Sequence, residues 1–368
     1  MVDALGTEED LHAEMQELSL QFKQLKVFPE SLGEGSGKLV TLHLEGNRLS
    51  VLPGSLGQRF PSLRHLFLDG NRLKELPDGG AGAGSCWHQL SGSLEMLSVD
   101  DNKLTFLPGS LVNLKALRTL KAAGNELRSL PQDLGQLGAL QHLFVEGNEI
   151  TELPPTFHQL AQLETLNLED NKLSELPSMF GALVALRCMC IGRNMLTQLP
   201  ESFGALVRLA ELDAHNNKLA KLPASFGGLA SLSELNLNNN CLTILPETFG
   251  CLSFLQQVHL NDNELLALPE SIGDLSSIRH FYLGGNMLTA LPQSFGQLES
   301  LEQFHAPRNQ ISSLPESIAQ GLLRSLTTLQ LQDNYLAILA ENLGFHLPML
   351  TNVYLGNNRL RAVPESFS

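Results

Sequence analysis

Two groups of histidine, aromatic and charged side chains recur at regular positions along the chain. The first group combines rings with carboxylates, at His43, Glu45, His65, Phe67, Asp69, Asp100, His142, Phe144, Glu146 and Glu169. The second is much less acidic, at His259, His280, Tyr282, His305, Arg308 and Tyr354. Exposed aromatic and arginine side chains are typical anchors of protein interfaces, and carboxylates around them steer basic partners. We therefore interpret both groups as candidate partner-binding surfaces. In the alternative, the aromatic rings only pack over neighbouring strands.

The same residue types could also serve metal or thiol chemistry. His259 and His305 flank Tyr282 at positions that we expect two strands apart, roughly 10 Å at the backbone, without a carboxylate between them. This spacing does not favour a metal site. Cys188 and Cys190 alternate with Met189 and should point to one face as an exposed thiol pair. Such a pair indicates either a redox or soft-metal role or ordinary surface cysteines.

Signatures of catalysis are missing from the sequence. No serine or cysteine stands with a base and an orienting acid, and the hydrolase and kinase motifs are not found. The glycine-rich segment at 78–92, DGGAGAGSCWHQLSG, lacks the Lys-Ser/Thr of a phosphate loop. We expect it to be a flexible insertion whose Trp87 docks either back onto the protein or onto a partner. The sequence thus predicts a protein that is not an enzyme and has no cofactor or metal.

Composition narrows the class of partner and the location. The 368 residues carry 24 Lys and Arg against 39 Asp and Glu, a net charge of −15. This charge argues against binding to nucleic acid or anionic membranes and favours protein partners with basic patches. The five scattered cysteines and the acidic, non-hydrophobic start predict a cytoplasmic protein, with the nucleus as the alternative.

A repeating leucine frame must position the candidate residues. The frame is L-x-x-L-x-L-x-x-N-x-L-x-x-L-P-x-x-F/L/I-G-x-L, and from Asn102 to Asn309 its asparagine recurs every 23 residues. Including a degenerate first unit with Lys23 at the asparagine position, the chain has fifteen units. Its asparagines are Asn47, Asn71, Asn102, Asn125, Asn148, Asn171, Asn194, Asn217, Asn240, Asn263, Asn286, Asn309, Asn334 and Asn358.

The period-two segment L-x-L predicts a short strand with leucines inward and the x positions outward. Asparagine then stands where the chain turns, and its amide can pair with buried backbone groups, so we expect an asparagine ladder. The residue before each asparagine is mostly Gly, Asp or Asn, which tolerate left-handed turns. Asp101 and Asp170 are therefore interpreted first as turn residues.

Two domain regions are predicted. Residues 1–14 precede the first unit and form either a cap over the end of the stack or a partner-binding tail. Residues 15–368 form the repeat domain, with the insertion at 78–92. The chain stops inside its fifteenth unit without a capping element. This leaves either an exposed core edge or a fragment of a longer protein.

The 23-residue frame LxxLxLxxNxLxxLPxxFGxL resembles the leucine-rich repeat of the intracellular Ras-group class. This class includes Ras-suppressor-type proteins, the scaffold that links Ras to protein phosphatase 1, and plant Ras-group-related repeat proteins. The resemblance covers about residues 15 to 367. It implies an α/β horseshoe solenoid with a parallel concave sheet, short helical or irregular convex segments, no enzymatic activity, and protein binding on the concave face.

The functional prediction is a non-catalytic intracellular scaffold or adaptor in signal transduction that binds a protein on the concave face. The partner could be a small GTPase or a phosphatase. One alternative is the recognition arm of a larger enzyme such as a ubiquitin ligase or kinase, since related repeats serve that role. Another is a regulatory subunit of a serine/threonine phosphatase.

Overall fold

A computed structural model describes residues 15–29, 32, 37–78 and 86–367. The predicted cap or tail at 1–14 lies outside the described residues, as do residues 79–85 of the insertion. The described chain divides into two compact units, one ending at Leu173 and one beginning at Ser174.

In the first unit the first leucine of L-x-L lies at the centre of a three-residue strand, as at Leu42, Leu66 and Leu120, where it is buried while the side chains on either side stay partly exposed. Neighbouring strands are consecutive in sequence and parallel, with Leu42 in register with Leu66. The strands are β1 Glu17–Ser19, β2 Thr41–His43, β3 His65–Phe67, β4 Met96–Ser98, β5 Thr119–Lys121, β6 His142–Phe144 and β7 Thr165–Asn167.

The second unit repeats the pattern with eight parallel strands in sequence order. They are β8 Cys188–Cys190, β9 Glu211–Asp213, β10 Glu234–Asn236, β11 Gln257–His259, β12 His280–Tyr282, β13 Gln303–His305, β14 Thr328–Gln330 and β15 Asn352–Tyr354. The sequence prediction of an α/β leucine-rich repeat solenoid with parallel strands is confirmed.

Single-turn helices connect the strands, mostly of the 3₁₀ type. Many of them follow the frame proline, which is extended (Pro200, φ −68 and ψ 152) and cannot donate a backbone hydrogen bond. The first unit contains α1 Leu56–Arg59, α2 Cys86–Gln89, η1 Gly109–Asn113, η2 Leu134–Gln136 and η3 Pro155–Gln159. The second contains η4 Phe180–Ala182, η5 Glu201–Ala205, η6 Ala224–Gly228, η7 Glu247–Cys251, η8 Glu270–Asp274, η9 Gln293–Gln297, η10 Glu316–Gln320, α3 Leu343–His346 and η11 Glu365–Phe367.

The core of the second unit contains a row of phenylalanines from the Phe-Gly-x-Leu part of the frame. Phe180, Phe203, Phe226 and Phe249 stack in nearly parallel planes with ring centroids 6.1 to 6.3 Å apart. Gly181 has no side chain, and a Cβ there would collide with the Ser202 carbonyl. Glycine after each phenylalanine therefore allows successive turns to pack closely.

The predicted asparagine ladder is confirmed. Asn171 is 6% exposed, and its Oδ1 accepts the Ile150 N–H of the preceding repeat at 3.0 Å. Its Nδ2 donates to the carbonyls of Val145 at 2.9 Å and Leu168 at 3.1 Å. Each asparagine of this kind therefore links its own repeat to the one before it.

The predicted turn geometry is also confirmed. Asp101 and Asp170 both have φ 53, in the left-handed region. Two arginines, Arg193 and Arg308, adopt the same conformation with φ 52 and 54. Arg308 is therefore part of a turn as well as a candidate binding residue.

The described end of the insertion docks onto the repeats. Trp87 lies in α2 and is fully buried, and its Nε1 donates a 2.7 Å hydrogen bond to the Pro77 carbonyl. Of the two alternatives predicted for Trp87, the structure shows the one in which the tryptophan docks back onto the protein. None of the helices formed by the described residues has the length and apolarity needed to cross a membrane.

Candidate functional site

Outward side chains of the strands form what we call the sheet face, the surface that the sequence analysis takes as concave. The predicted register is confirmed, because the alternate residues of the strands are buried and those between them are partly exposed. All residues of the first group lie in the first unit, and all residues of the second group lie in the second unit.

His43 and Phe67 are stacked across β2 and β3. Their ring centroids are 4.7 Å apart and their planes differ by 4°. The His43 ring also lies 2.9 Å from Glu45 through Nδ1 and 3.4 Å from Glu17 through Nε2. Phe67 is therefore half-buried rather than fully exposed as expected, since the histidine covers part of its ring. The packing of Phe67 agrees with the alternative interpretation, in which the aromatic rings pack over neighbouring strands.

Asp69 and Asp100 both bind backbone amides of the next repeat. Asp69 Oδ1 accepts hydrogen bonds from Ser98 Oγ at 2.6 Å and Asp100 N at 2.7 Å. Asp100 Oδ1 accepts the Ala123 N–H at 2.7 Å. Burial raises the pKa of Asp69 above its ordinary value and that of Asp100 to about 6. These carboxylates support the strands in addition to any binding role.

Lys121 lies among the acidic residues of the first group and was not among the predicted site residues. Its Nζ lies 5.5 Å from the centroid of the Phe144 ring. It also lowers the pKa of Asp69, Asp100 and Glu146, although burial outweighs it in each case. Its position as the last residue of β5, which is the central x of L-x-L, was the available signal.

The remaining residues of the first group are half-buried on the sheet face. His65 Nδ1 lies 3.2 Å from Thr41 Oγ1, and His142 occupies the equivalent position on β6. The Glu169 backbone N–H donates to the Asn167 side chain at 3.0 Å. The structure thus brings rings and carboxylates of β2 to β7 onto one face of the first unit.

In the second group, His259, Tyr282 and His305 form a row of rings. His259 stacks on Tyr282 with a centroid separation of 4.6 Å, and Tyr282 meets His305 edge-on at 4.9 Å. Burial, with His280 nearby, lowers the pKa of both His259 and His305. Burial therefore favours the neutral form of both rings.

The other members of the second group are less closely associated. His280 Nε2 lies 3.9 Å from Glu302, and the Arg308 guanidinium pairs with Asp262 at 3.2 Å. Tyr354 on β15 is 50% exposed. Within the described residues, no cluster of three His, Cys, Asp or Glu side chains is arranged to hold a metal ion.

A cavity of about 290 Å³ opens on the sheet face of the second unit, between β8 and β11. Cys188, Cys190, Glu211, Asp213 and Glu234 are among the residues that line it. The two cysteines were predictable from the sequence pattern as a surface pair, whereas the three carboxylates were not predicted as site residues. Glu211 and Glu234 are the first residues of their strands, whereas the predicted site residues lie mostly at the central x of L-x-L and two positions later.

Comparison with known proteins identifies the repeat. The family model described as leucine rich repeat matches residues 13–73, 123–173, 223–265 and 255–311. A leucine-rich repeat protein of Leptospira interrogans is 31% identical with a TM-score of 0.83, and the match covers 98% of this chain and 88% of that one. A search of curated proteins found no significant match.

Two further solved structures are similar. YopM from Yersinia enterocolitica is 28% identical with a TM-score of 0.62, and the match covers 95% of this chain and 71% of that one. The plant peptide hormone receptor RGFR1, solved in complex with RGF2, is 26% identical with a TM-score of 0.67. That match covers 95% of this chain but 64% of the receptor chain.

Proposed function

Because the chain belongs to the leucine-rich repeat family, we propose that it is a non-catalytic intracellular scaffold or adaptor of the Ras-group class. Proteins of this family generally mediate protein–protein interaction, and the receptor RGFR1 was solved with a bound partner. We assign partner binding to the sheet face of the first unit. The second group would be a further contact surface, and residues 15–368 would act as one repeat domain.

The observation that carries this proposal is the pairing of rings and carboxylates on β2 to β6. The stacked His43 and Phe67 rings and the Lys121–Phe144 contact hold two aromatic surfaces in place. Ordered aromatic anchors lose little side-chain entropy on binding. Glu45, Glu146 and their acidic neighbours favour a basic partner, for which a small GTPase or a phosphatase is our candidate.

The test is partner capture by a variant with Phe67→Ala, Phe144→Ala, Asp69→Lys and Glu146→Lys. Affinity purification with mass spectrometry first identifies proteins bound by the unaltered chain, and the variant should lose them. Because Asp69 also binds the next strand, a second variant with only Phe144→Ala and Glu146→Lys should lose most of the capture while retaining the native circular dichroism spectrum.

The matched control changes an exposed ring and two exposed acids outside the sheet face, with Phe254→Ala, Glu247→Lys and Glu270→Lys. It should capture the partner as well as the unaltered chain does. Full capture by both sheet-face variants would rule out the proposed surface. Purified small GTPases and phosphatase catalytic subunits then test the two candidate classes directly.

A second candidate is the recognition arm of a larger enzyme, such as a ubiquitin ligase or kinase. It is supported by the greater length of the receptor chain, of which the match with this chain covers 64%. An in-frame catalytic domain in the gene beside this segment would support it, and stop codons on both sides would end it. A regulatory subunit of a serine/threonine phosphatase is the third candidate, tested by binding to the catalytic subunit.

We also propose a cytoplasmic location, with the nucleus as the alternative. The described cysteines Cys86, Cys188, Cys190, Cys241 and Cys251 are all free thiols, as is usual for reducing compartments. Microscopy of the chain fused to a fluorescent protein, with the fusion point placed at either end in turn, tests this location. Recovery of the protein from the culture medium or the secretory pathway would contradict it.

A further inference from the structure

The cavity on the second unit combines an apolar floor with a row of acids. Its floor is formed by Met189, Leu212 and Leu235, which are at most 2% exposed. Glu211 and Glu234 stand above this floor on neighbouring strands and are direct register partners. Like charges in register on adjacent strands repel each other, and a bound cation would relieve that repulsion.

The remaining groups around the cavity reach Asp213 and Glu211 by hydrogen bonds. Asp213 accepts hydrogen bonds from the His215 ring at 2.7 Å and from Asn236 Nδ2 at 3.2 Å. Burial raises the pKa of the Cys188 thiol and lowers that of His259, and so favours the neutral form of both groups. Arg187 is the cation beside Cys188. Asp213 thus has a histidine partner and Glu211 a thiol partner, whereas within the described residues no lysine or arginine pairs with Glu234.

We propose that this part of the sheet face docks a protein segment that presents an arginine side chain. The guanidinium fork would bridge Glu211 and Glu234, and the aliphatic part of the side chain would lie over the apolar floor. A planar guanidinium can donate to two carboxylates at once, whereas an ammonium acts as a point charge. The His259 ring at one end of the cavity provides a surface on which the guanidinium plane can stack.

This docking site is separate from the surface assigned to the first unit and does not rest on the function proposed there. The variants that test the first unit leave β8 to β11 unchanged. Loss of capture through the first unit and loss of arginine docking here are therefore distinguishable outcomes.

The two cysteines of β8 supply the measurement, because a docked side chain would cover them. The probe is a heptapeptide of glycine and serine with one arginine at its centre. Two comparison peptides carry either neutral citrulline or positively charged lysine in place of the arginine. A short maleimide pulse followed by mass spectrometry measures labelling of Cys188 and Cys190. Exposed Cys251 on η7 serves as the internal control.

The arginine peptide should slow labelling of Cys188 and Cys190 but not of Cys251, and the citrulline peptide should leave all three rates unchanged. The double variant Glu211→Gln with Glu234→Gln should raise the peptide Kd about tenfold or more, because charge-assisted hydrogen bonds are lost. A control with Glu247→Gln and Glu270→Gln removes the same charge elsewhere in the unit and should bind normally.

Three kinds of result would overturn the proposal. The first is equal protection by the citrulline peptide or no protection by the arginine peptide. The second is unchanged protection in the Glu211→Gln, Glu234→Gln variant. The third is equal protection by the lysine peptide, which would exclude recognition of a guanidinium.

Discussion

The His43 ring lies flat on the Phe67 ring, with the two planes 4° apart, and so connects strands β2 and β3 of the first unit. The contact keeps one face of the proposed aromatic anchor covered in the free protein. A partner would therefore meet a ring whose orientation is already set, and little rotational freedom would be lost on binding.

A double-mutant cycle should detect this stacking. We expect His43→Ala and Phe67→Ala to be coupled by about 0.5–1.5 kcal/mol in the free energy of unfolding, as found for aromatic pairs. His43→Ala and Phe144→Ala, on strands four apart, should be additive and serve as the control pair. Urea unfolding at pH 8 measures all of these variants. Additivity of the first pair would show that the rings contribute separately.

Asp100 should make the stability of the first unit depend on pH. Burial raises its pKa to about 6 in the folded protein, above its ordinary value of 3.8. The folded state therefore binds the proton more tightly. The resulting stabilisation is fully present below pH 3.8 and is lost as the pH rises through about 6. The negative charges of Asp69 and Glu146 raise the pKa of Asp100 further, and the positive charge of Lys121 lowers it.

Asp100→Asn should remove the part of this pH dependence that Asp100 contributes. Its amide can still accept the Ala123 N–H, as Asn238 accepts the Asn261 N–H at the equivalent position. The variant should have a higher urea midpoint than the unaltered chain at pH 7.5 and the same midpoint near pH 4. Asp101→Asn removes the same charge from the exposed turn next door and is the control. A lower midpoint for Asp100→Asn at pH 7.5 would refute the assignment.

Asn171→Ala should destabilise the first unit strongly. It leaves the Ile150 N–H and two carbonyls buried without their partner, at about 1–3 kcal/mol for each such group. Asn167→Ala, four residues earlier on the sheet face, removes a single local bond to Glu169 N and should cost less than about 1.5 kcal/mol. Urea unfolding followed by circular dichroism compares the two variants. Similar losses for both would mean that the ladder has no special role.

Trp87 should report on the first unit by its fluorescence. It is the single tryptophan of the chain and is fully buried, so its emission should resist acrylamide quenching until the unit unfolds. Trp87→Phe removes the hydrogen bond to the Pro77 carbonyl and should lower the stability by about 1 kcal/mol or more. Quenching as efficient as that of free N-acetyltryptophanamide in the native protein would contradict the docked position.

The frame was predictable from the sequence, whereas contacts between variable residues were not. Leucine spacing and asparagine chemistry are local and periodic, so strands, ladder and turns follow from them. Whether Phe67 is open or covered depends on the rotamer of His43 one repeat earlier, which no periodicity encodes. Glu211 and Glu234 become register partners only through strand pairing. Their like charges then lie side by side in one cavity, which the sequence alone does not show.

The ion pair between Asp262 and Arg308 joins two repeats that are not adjacent, with Gly285 in the repeat between them. A Cβ at Gly285 would collide with the Asp262 carboxylate and lie 3.5 Å from the Arg308 guanidinium. The stability of a repeat array is ordinarily a sum of single-repeat and nearest-neighbour terms. Gly285 thus allows a stabilising interaction between second-neighbour repeats. A side chain at position 285 would remove this interaction while leaving both charges in the chain.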